Sequence, residues 1–284
     1  GYKVAVCDQL EDPKLTKKIV RRGVTELVTP GVVYNEQLLP QKENNFLASV
    51  CFEKDRGGIA FLDISTGAFR VAEGSMNYIE LLLENMAPKE ILVEKGYAKG
   101  FREKFHTDAY ISTLDEWAFV YETSYEKLKK HFALDSLKGF GVEGMNLSLT
   151  AAGAILYYLE NNQQAFCEYF PNRGLSHLCS ISRIDSDDFV WLDRFTVRNL
   201  ELVYPATKDG VSLLDVVDRC TSPMGGRLLR QWICMPSKHL DQIRMRHEVV
   251  EDFTLHTEVM EAVREKISQM GDMERIISRA AGGR

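Results

Sequence analysis

The sequence predicts a mixed α/β domain followed by an all-helical domain, and three observations lead to this prediction. Short apolar runs separated by tight turns follow one another between residues 46 and 72, which is typical of an antiparallel meander. A stretch with helical spacing and a further apolar run follow, which predicts a crossover helix and a strand that joins the same sheet. From Asp185 onward the apolar residues recur at helical spacing, and successive amphipathic helices indicate an all-α domain.

The meander is predicted from three apolar runs of strand length, Phe46–Phe52, Ile59–Ile64 and Ala68–Ala72. Turn-forming residues separate them, at Asp55–Gly58 and at Ser65–Gly67. Tight turns imply that neighbouring strands are antiparallel. A crossover helix and a fourth strand that returns parallel to the sheet would complete the opening of a ribonuclease-H-like mixed sheet with flanking helices, although other α/β folds share this order.

The remaining elements of the α/β domain follow from helical spacing, breakers and caps. The predicted elements are, in order, a helix carrying Tyr78, Leu81, Leu82 and Met86 and ended by Pro88, the strand Glu90–Glu94, the helix Thr123–Phe132, and a helix capped by Ser148 or Asn146 and ended by Asn161-Asn162.

Breaker residues divide the chain into four predicted segments. Thr29-Pro30-Gly31 ends a segment that begins with a strand, Lys3–Cys7, and continues with a basic helix. An irregular stretch after residue 163 predicts a linker. The predicted segments are 1–28, a connector over 29–163, the linker 164–182 and a helical domain over 183–284. Both ends of the chain fall inside or beside predicted elements, so a piece of a longer protein is expected.

The helical domain contains a clear helix start at Ser222-Pro223, where a capping Ser precedes Pro in the first turn. Gly225-Gly226 costs about 1 kcal/mol per residue in a helix interior, so we expect another backbone to approach there. The apolar stripes that predict helices are Met224, Leu228, Trp232 and Met235; Ile243, His247, Val250 and Phe253; Val259, Val263 and Ile267; and Met273, Ile276, Ile277 and Ala280.

The composition excludes several classes of protein. The net charge of -6 and the pI of about 5.6 argue against a free-standing nucleic-acid binder, which usually carries a basic face. No apolar run reaches the ~18 residues that span a bilayer, so no membrane association is expected. The six cysteines lack metal-ligand or disulfide spacing, which favours reduced thiols and a cytoplasmic location. A local basic cluster is interpreted as a solvated helix face: Lys14, Lys17, Lys18, Arg21 and Arg22.

The candidate chemistry of the chain is weak. A ribonuclease-H-type nuclease would gather carboxylates around two metal ions, but Asp63 is better explained as an anchor that accepts hydrogen bonds from the backbone of its turn. A phosphate-binding loop is missing, since Gly139-Phe140-Gly141 lacks both spacing and Lys. Arg227 and Arg230 are predicted to form salt bridges with Asp215, Asp218 or Glu201, and phosphate binding is the alternative. We therefore expect a scaffold or coupling module without catalytic residues, cofactors or metal of its own.

Several stretches together resemble the MutS family of bacterial DNA mismatch-repair proteins. Their order and spacing cover essentially the whole chain. The segments are 1–13 (GYKVAVCDQLEDP), 22–33 (RGVTELVTPGVV), 62–69 (LDISTGAF), 139–143 (GFGVE), 196–202 (TVRNLEL), 213–236 with CTSPMGGRLLRQW, and 271–279 (GDMERIISR). In this resemblance the family's mismatch-reading Phe-x-Glu motif lies before Gly1 and its Walker ATPase after Arg284, so neither site is expected here.

The resemblance implies the end of a mismatch-recognition domain, a connector domain and the start of a core or lever domain. Such a module would couple the ATPase end of the complete protein to its DNA-reading end and dock the MutL partner. ATP, Mg²⁺, mismatched DNA and a homodimer are implied for the complete protein. The exposed helix face at Glu126 and Lys127 is the predicted partner contact. Residues predicted to fix helix packing in the lever are Asn199, Glu201, Thr221, Arg227 and Trp232.

Two alternatives remain beside this coupling function. The first is a metal-dependent ribonuclease-H-like nuclease, motivated by the strand order, for which loss of cleavage in Asp63→Asn would be decisive. The second is a structural interaction module unrelated to repair, which a pull-down against MutL-type partners would separate from the coupling function.

Overall fold

The computed structural model describes residues 2–9, 19–20, 22–33, 36–167 and 175–281. The chain divides into two compact units. The first unit comprises Gly1–Leu38, Asn45–Ile184 and Ile277–Arg284, and the second comprises Leu39–Asn44 and Asp185–Ile276. The short segment Leu39–Asn44 therefore belongs to the second unit, although the chain on both sides of it belongs to the first.

The chain begins with a two-stranded antiparallel sheet, formed by β1 (Val4–Gln9) and β2 (Arg22–Val28). The predicted first strand is confirmed, whereas the strand β2 was not predicted. The register shifts between Val6 and Cys7. The predicted turn and most of the predicted basic helix lie outside the described residues, including Lys14, Lys17, Lys18 and Arg21.

A mixed sheet of six strands forms the centre of the first unit, in the order β7-β6-β3-β4-β5-β8. Its strands are β3 (Phe46–Glu53), β4 (Arg56–Asp63), β5 (Ala68–Ser75), β6 (Glu90–Glu94), β7 (Tyr110–Leu114) and β8 (Ser182–Arg183). The meander β3-β4-β5 is antiparallel, and β6 returns parallel to β3, as predicted. The strands β7 and β8, which were not predicted, add in parallel to β6 and β5.

The predicted turn over Asp55–Gly58 is wrong. The hairpin turns at Lys54 and Asp55, since Glu53 pairs with Arg56, and both glycines lie inside β4. A Cβ on Gly58 would lie 2.2 Å from the backbone of Leu147. These glycines are needed because helices approach the sheet closely there, and glycine in a strand often marks such an approach.

Helices cover both faces of this sheet: α1 (Met76–Met86), the short α2 (Phe101–Lys104), α3 (Tyr121–Phe132) and α4 (Asn146–Cys167). A Cβ on Gly57 would meet Ile79 of α1 at 2.8 Å, whereas one on Gly58 would meet the start of α4. Adjacent strand residues point to opposite faces, so α1 and α4 lie on opposite sides of the sheet. The core between α4 and the sheet is completely buried at Leu62, Val71, Leu92, Ile155 and Leu156.

The start and the end of α4 differ from the prediction. The Glu73 carboxylate of β5 accepts hydrogen bonds from the amides of Leu147 (3.0 Å) and Ser148 (3.4 Å), so it satisfies groups that a capping residue was expected to satisfy. The helix also continues past Asn161 to Cys167. Asn costs only a few tenths of a kcal/mol in a helix, which is too little to end one anchored along the sheet.

The predicted linker 164–182 is packed structure in its described part. Residues 164–167 belong to α4, and Leu175, Leu178 and Ile181 are at most 8% exposed in the core of the first unit. His131 of α3 hydrogen-bonds the carbonyl of Leu178 at 2.9 Å. These apolar side chains gain more from burial than a solvated linker would allow, and residues 168–174 lie outside the described part.

The second unit is helical, as predicted. Its helices are α5 (Arg194–Asn199), α6 (Leu213–Val217), α7 (Pro223–Cys234), α8 (Leu240–Leu255), α9 (Thr257–Ser268) and the first residues of α10 (Met273–Ala281). The Ser222 hydroxyl accepts a hydrogen bond from the Gly225 amide at 3.1 Å, which confirms the predicted cap of α7. Apolar side chains of α8 and α9, such as Val250 and Val259, are more than half exposed.

Candidate functional site

Asp63, at the end of β4, is a completely buried acid. One carboxylate oxygen accepts hydrogen bonds from the amide (3.0 Å) and hydroxyl (2.7 Å) of Ser65, and the other accepts one from the Asn45 amide (3.1 Å). The first two contacts are those expected of a turn anchor. The third ties the start of the meander to the same carboxylate, which the sequence did not predict.

A second buried acid, Glu90, begins β6 and is 0% exposed. Its carboxylate accepts hydrogen bonds from the hydroxyl of Tyr158 (2.7 Å), the hydroxyl of Ser112 and the amide of Gly31 (3.0 Å). Buried charges are tolerated where donors surround them in this way. This network was not predicted from the sequence. The signal that could have indicated it is an acid directly before an apolar run, here Ile91–Val93.

These carboxylates hold protein segments in place. In the part of the chain that the structure describes, no three His, Cys, Asp or Glu side chains come together as metal ligands. No helix among the described residues is long and apolar enough to cross a membrane. Both acids instead accept hydrogen bonds from the chain itself, so the chemistry that this arrangement supports is positioning.

A cluster of charged side chains in the second unit surrounds Arg227 of α7. Its guanidinium forms a two-pronged ion pair with Asp272, at 2.7 and 2.8 Å, and a further ion pair with Glu274 at 2.6 Å. The prediction that Arg227 forms intradomain salt bridges is confirmed, but the predicted partners are wrong. Asp215 caps its own helix α6, and Asp218 pairs with Lys42.

Burial and charge act against each other in this cluster. Burial disfavours the charged guanidinium of Arg227, but the hydrogen bonds to Asp272 and Glu274 outweigh it and raise its pKa above the ordinary value. Burial likewise raises the pKa of Asp272, and its hydrogen bonds to Arg227 more than reverse that effect, so the pKa lies below 3.8. Both partners are therefore held in their charged forms at neutral pH.

Arg275 of α10 completes the cluster and is 2% exposed. It donates to the backbone carbonyls of Pro40 and Glu43, both at 3.0 Å, while Arg227 donates to the carbonyl of Gln41 at 2.9 Å. Two buried guanidinium groups thus hold the backbone of Leu39–Asn44. The role of Arg275 could not be predicted from local sequence patterns, because the segment that it contacts lies more than 200 residues earlier in the chain.

Comparison with known proteins places these two units in a family. Family models match residues 1–37 (MutS domain I), residues 45–173 (MutS domain II) and residues 195–284 (MutS domain III). Proteins named DNA mismatch repair protein MutS are similar over 284 residues, with 51% identity in Parabacteroides distasonis, 50% in Phocaeicola vulgatus and 48% in Flavobacterium psychrophilum. The chain belongs to the MutS family. The aligned region covers 100% of this chain but 32% of each of these relatives.

In the part that matches MutS domain III, the predicted packing residues have different surroundings. Asn199 and Thr221 are exposed, and their role in fixing helix packing stays a prediction. Glu201 is half-buried, and its carboxylate accepts a hydrogen bond from the Ala206 amide at 3.1 Å. Trp232 is 37% exposed and therefore not a core residue.

Trp232 is nevertheless in contact with a charged neighbour. The guanidinium of Arg246, on α8, lies 3.6 Å from the centre of the Trp232 ring. Cation–π contacts of this kind contribute about 0.5–1 kcal/mol at exposed sites. The close neighbour of Gly226 is a side chain and not the backbone that was expected. A Cβ on Gly226 would lie 2.7 Å from the methylenes of Lys42.

In the part that matches MutS domain II, the predicted partner contacts lie on α3. Glu126 is 69% exposed and pairs with Lys129 at 2.8 Å. Lys127 forms an ion pair with Glu160 of α4 and lies 5.8 Å from the centre of the Tyr157 ring. Glu126 is therefore accessible, whereas Lys127 is already engaged within the unit.

Proposed function

We propose that this chain is the coupling part of a DNA mismatch-repair protein. Membership of the MutS family and its similarity to DNA mismatch repair proteins support this proposal. The observation that carries it is the use of buried polar groups: Asp63, Glu90, Arg227 and Arg275 all bind other parts of the chain. Coupling between distant sites needs units that move as packed bodies, and networks of this kind make such units stiff.

The ATPase of the complete protein, with ATP and Mg²⁺, is proposed to lie outside this chain, as is the motif that reads mismatched DNA. Homodimerisation of the complete protein is likewise a proposal. The acidic chain, with a net charge of -6, is expected to bind DNA weakly by itself, since affinity for phosphate comes mainly from basic side chains.

The α/β unit is proposed to be a ribonuclease-H-like layer used as a scaffold. Support comes from the strand order, in which an antiparallel meander is followed by strands added in parallel next to its first strand. The nuclease alternative loses support because the oxygens of Asp63 accept hydrogen bonds from Ser65 and Asn45. Incubation with Mg²⁺ or Mn²⁺ and labelled DNA tests this alternative directly.

We propose that a MutL-type partner docks on the exposed face of α3 at Glu126 and Lys127, where Glu126 is the more accessible charge. In the complete protein, Glu126→Lys should weaken partner binding measured by biolayer interferometry. The matched control is Glu103→Lys, which reverses an exposed acid on α2. Equal partner affinity in both variants would place the docking surface elsewhere.

The coupling function is tested by separating binding from its response to ATP. In the complete protein, ATP should weaken binding to mismatched DNA, as measured by fluorescence anisotropy. Loosening α4 with Gly58→Ala should reduce that response while ATP hydrolysis continues. Tight, mismatch-selective binding by residues 1–284 alone would contradict the proposal.

A further inference from the structure

The segment Leu39–Asn44, called the strap below, belongs to the helical unit, although the residues on both sides of it belong to the α/β unit. Leu39 is 7% exposed, so the strap begins with a buried side chain. The strand β3 begins directly after the strap, where the Asn45 amide binds Asp63. The strap is therefore the part of the helical unit that directly precedes β3 in the chain.

The helical unit binds the strap mainly through its backbone. Arg275 donates to the carbonyls of Pro40 and Glu43, and Arg227 donates to that of Gln41. These guanidinium groups are 2% and 4% exposed, so the hydrogen bonds form with little competition from water. An Arg side chain presents its donors in a fixed planar fork, which suits adjacent carbonyl acceptors better than the single ammonium of Lys.

Acidic groups compensate the two buried charges. Asp272 binds Arg227 and also lies 3.6 Å from Arg275, and Glu274 binds Arg227 at 2.6 Å. Removing one member would leave a buried charge without compensation, which is strongly unfavourable. Loss of any one member should therefore weaken the whole cluster.

The side chains of the strap form an outer set of contacts. Lys42 pairs with Asp218 at 2.9 Å, and its methylenes lie against Gly226. Glu43 pairs with Arg230 at 3.2 Å. Gln41 is exposed and contributes its carbonyl. The buried hydrogen bonds from Arg227 and Arg275 to the strap therefore do not involve the Gln41 side chain.

We propose that Arg275 and Arg227 form a latch that grips the strap, and that ATP-driven coupling in the complete protein loosens or tightens this grip. The proposal rests on the coupling function proposed above and deepens it by naming the positioning residues. Opening the latch would free the chain leading into β3 without unfolding α7 or α10.

The latch is tested by limited trypsin digestion of the complete protein, followed by mass spectrometry at the Lys42–Glu43 bond. Cleavage requires the backbone of the strap to be released from Arg275 and Arg227. Arg275→Gln should raise the cleavage rate about tenfold, because a local opening event becomes more populated. Arg275→Lys should also raise it, since an ammonium cannot hold both carbonyls. Two matched controls should be cleaved at the wild-type rate. They are Arg264→Gln, which removes an exposed charge on α9, and Gln41→Ala.

The role in coupling is read from the response to ATP. In the wild-type protein, ATP should change the cleavage rate after Lys42 about fivefold or more, the range typical of coupling between sites. Neither Arg275 variant should show this response, and ATP should weaken their binding to mismatched DNA less than in the wild type. Should Arg275→Gln fail to fold, Arg275→Lys carries the same comparison.

Any of three results would overturn the latch. Arg275→Lys could be cleaved at the wild-type rate, or Gln41→Ala could accelerate cleavage as much as Arg275→Gln does. The third is a cleavage rate of the wild-type protein that does not change with ATP. If ATP still weakens binding to mismatched DNA in these cases, the proposed coupling function stands without the latch. A wild-type protein whose binding to mismatched DNA is unaffected by ATP would instead contradict the coupling function itself.

Discussion

At the scale of single residues, Glu90 is the clearest case of a charge used for structure. Its carboxylate accepts hydrogen bonds from Gly31, Ser112 and Tyr158, while the residue is 0% exposed. The backbone at Gly31, the strand β7 and the helix α4 thus meet at one side chain. A neutral amide could not accept from all of these donors, because its NH₂ group is itself a donor.

We therefore expect Glu90→Gln to lower the free energy of unfolding by about 2–4 kcal/mol, the cost of disrupting charge-assisted hydrogen bonds and leaving donors unpaired. Urea unfolding followed by circular dichroism measures this change. The matched control is Glu103→Gln on the exposed surface of α2, which should change stability little. Equal stability of Glu90→Gln and the wild type would show that the network contributes no net stability.

Trp232 shows how exposure changes an expectation made from sequence. A buried Trp would cost about 3–5 kcal/mol when replaced by Ala. Because Trp232 is 37% exposed and stacks on Arg246, we expect Trp232→Ala to cost about 1–2 kcal/mol.

A double-mutant cycle with Arg246→Ala isolates this contact. The coupling energy between the two residues should be about 0.5–1 kcal/mol, measured by chemical denaturation. A coupling energy near zero would mean that the stacked geometry adds no stability.

At the scale of elements, the approach of α4 to β4 depends on a single missing side chain. A Cβ on Gly58 would lie 2.2 Å from the carbonyl carbon of Leu147 and from the amide of Ser148. Backbone atoms cannot move aside as the end of a flexible side chain can. The helix would have to shift away from the sheet as a whole, which would open the core around Ile155.

Gly58→Ala should therefore destabilise the α/β unit by about 3 kcal/mol or more, since overpacking against backbone adds to the loss of core contacts. Gly139→Ala is the matched control, because no atom lies within 4 Å of its added Cβ. Thermal unfolding should separate the two variants by several degrees. Similar melting temperatures would show that α4 can shift without cost.

At the scale of the whole molecule, the two units should respond to acid in different ranges of pH. In the α/β unit, burial lowers the pKa of His131 from 6.5, although the hydrogen bond to the Leu178 carbonyl partly opposes this effect. In the helical unit, hydrogen bonds from Ser212 lower the pKa of Asp215, and Arg227 lowers that of Asp272 against the effect of burial.

The sign of each effect follows from linkage. The folded α/β unit prefers neutral His131, so this stability is present above pH 6.5 and is lost as the pH falls to the lower pKa of the folded state. The folded helical unit prefers ionised Asp272 and Asp215, so their contribution is present above the ordinary value of 3.8 and is lost only below it.

Urea unfolding at a series of pH values checks this prediction, with Trp117 reporting on the α/β unit and Trp191 and Trp232 on the helical unit. The midpoint reported by Trp117 should begin to fall below about pH 6.5, and His131→Gln should abolish that fall. A midpoint for the helical unit that falls in the same range would contradict the assignment.

The sequence determined the parts of this protein that depend on neighbouring residues. The meander β3-β4-β5, the parallel return of β6, the Ser222 cap and the turn at Asp63 all follow from local alternation, turn residues and hydrogen bonds within a few positions. Such signals are short-range, and one chain is enough to show them. The ordered set of family segments added the MutS assignment.

Only the tertiary structure decided which distant groups meet. Arg227 pairs with Asp272 and Glu274 and not with acids that are nearer in the sequence. Arg275 binds a segment more than 200 residues away, and Trp232 is partly exposed to solvent. No local pattern encodes these outcomes, because partner choice and burial depend on which segments the fold brings together. The strap shows this most clearly, since its backbone carbonyls, common to every residue, are what the arginines bind.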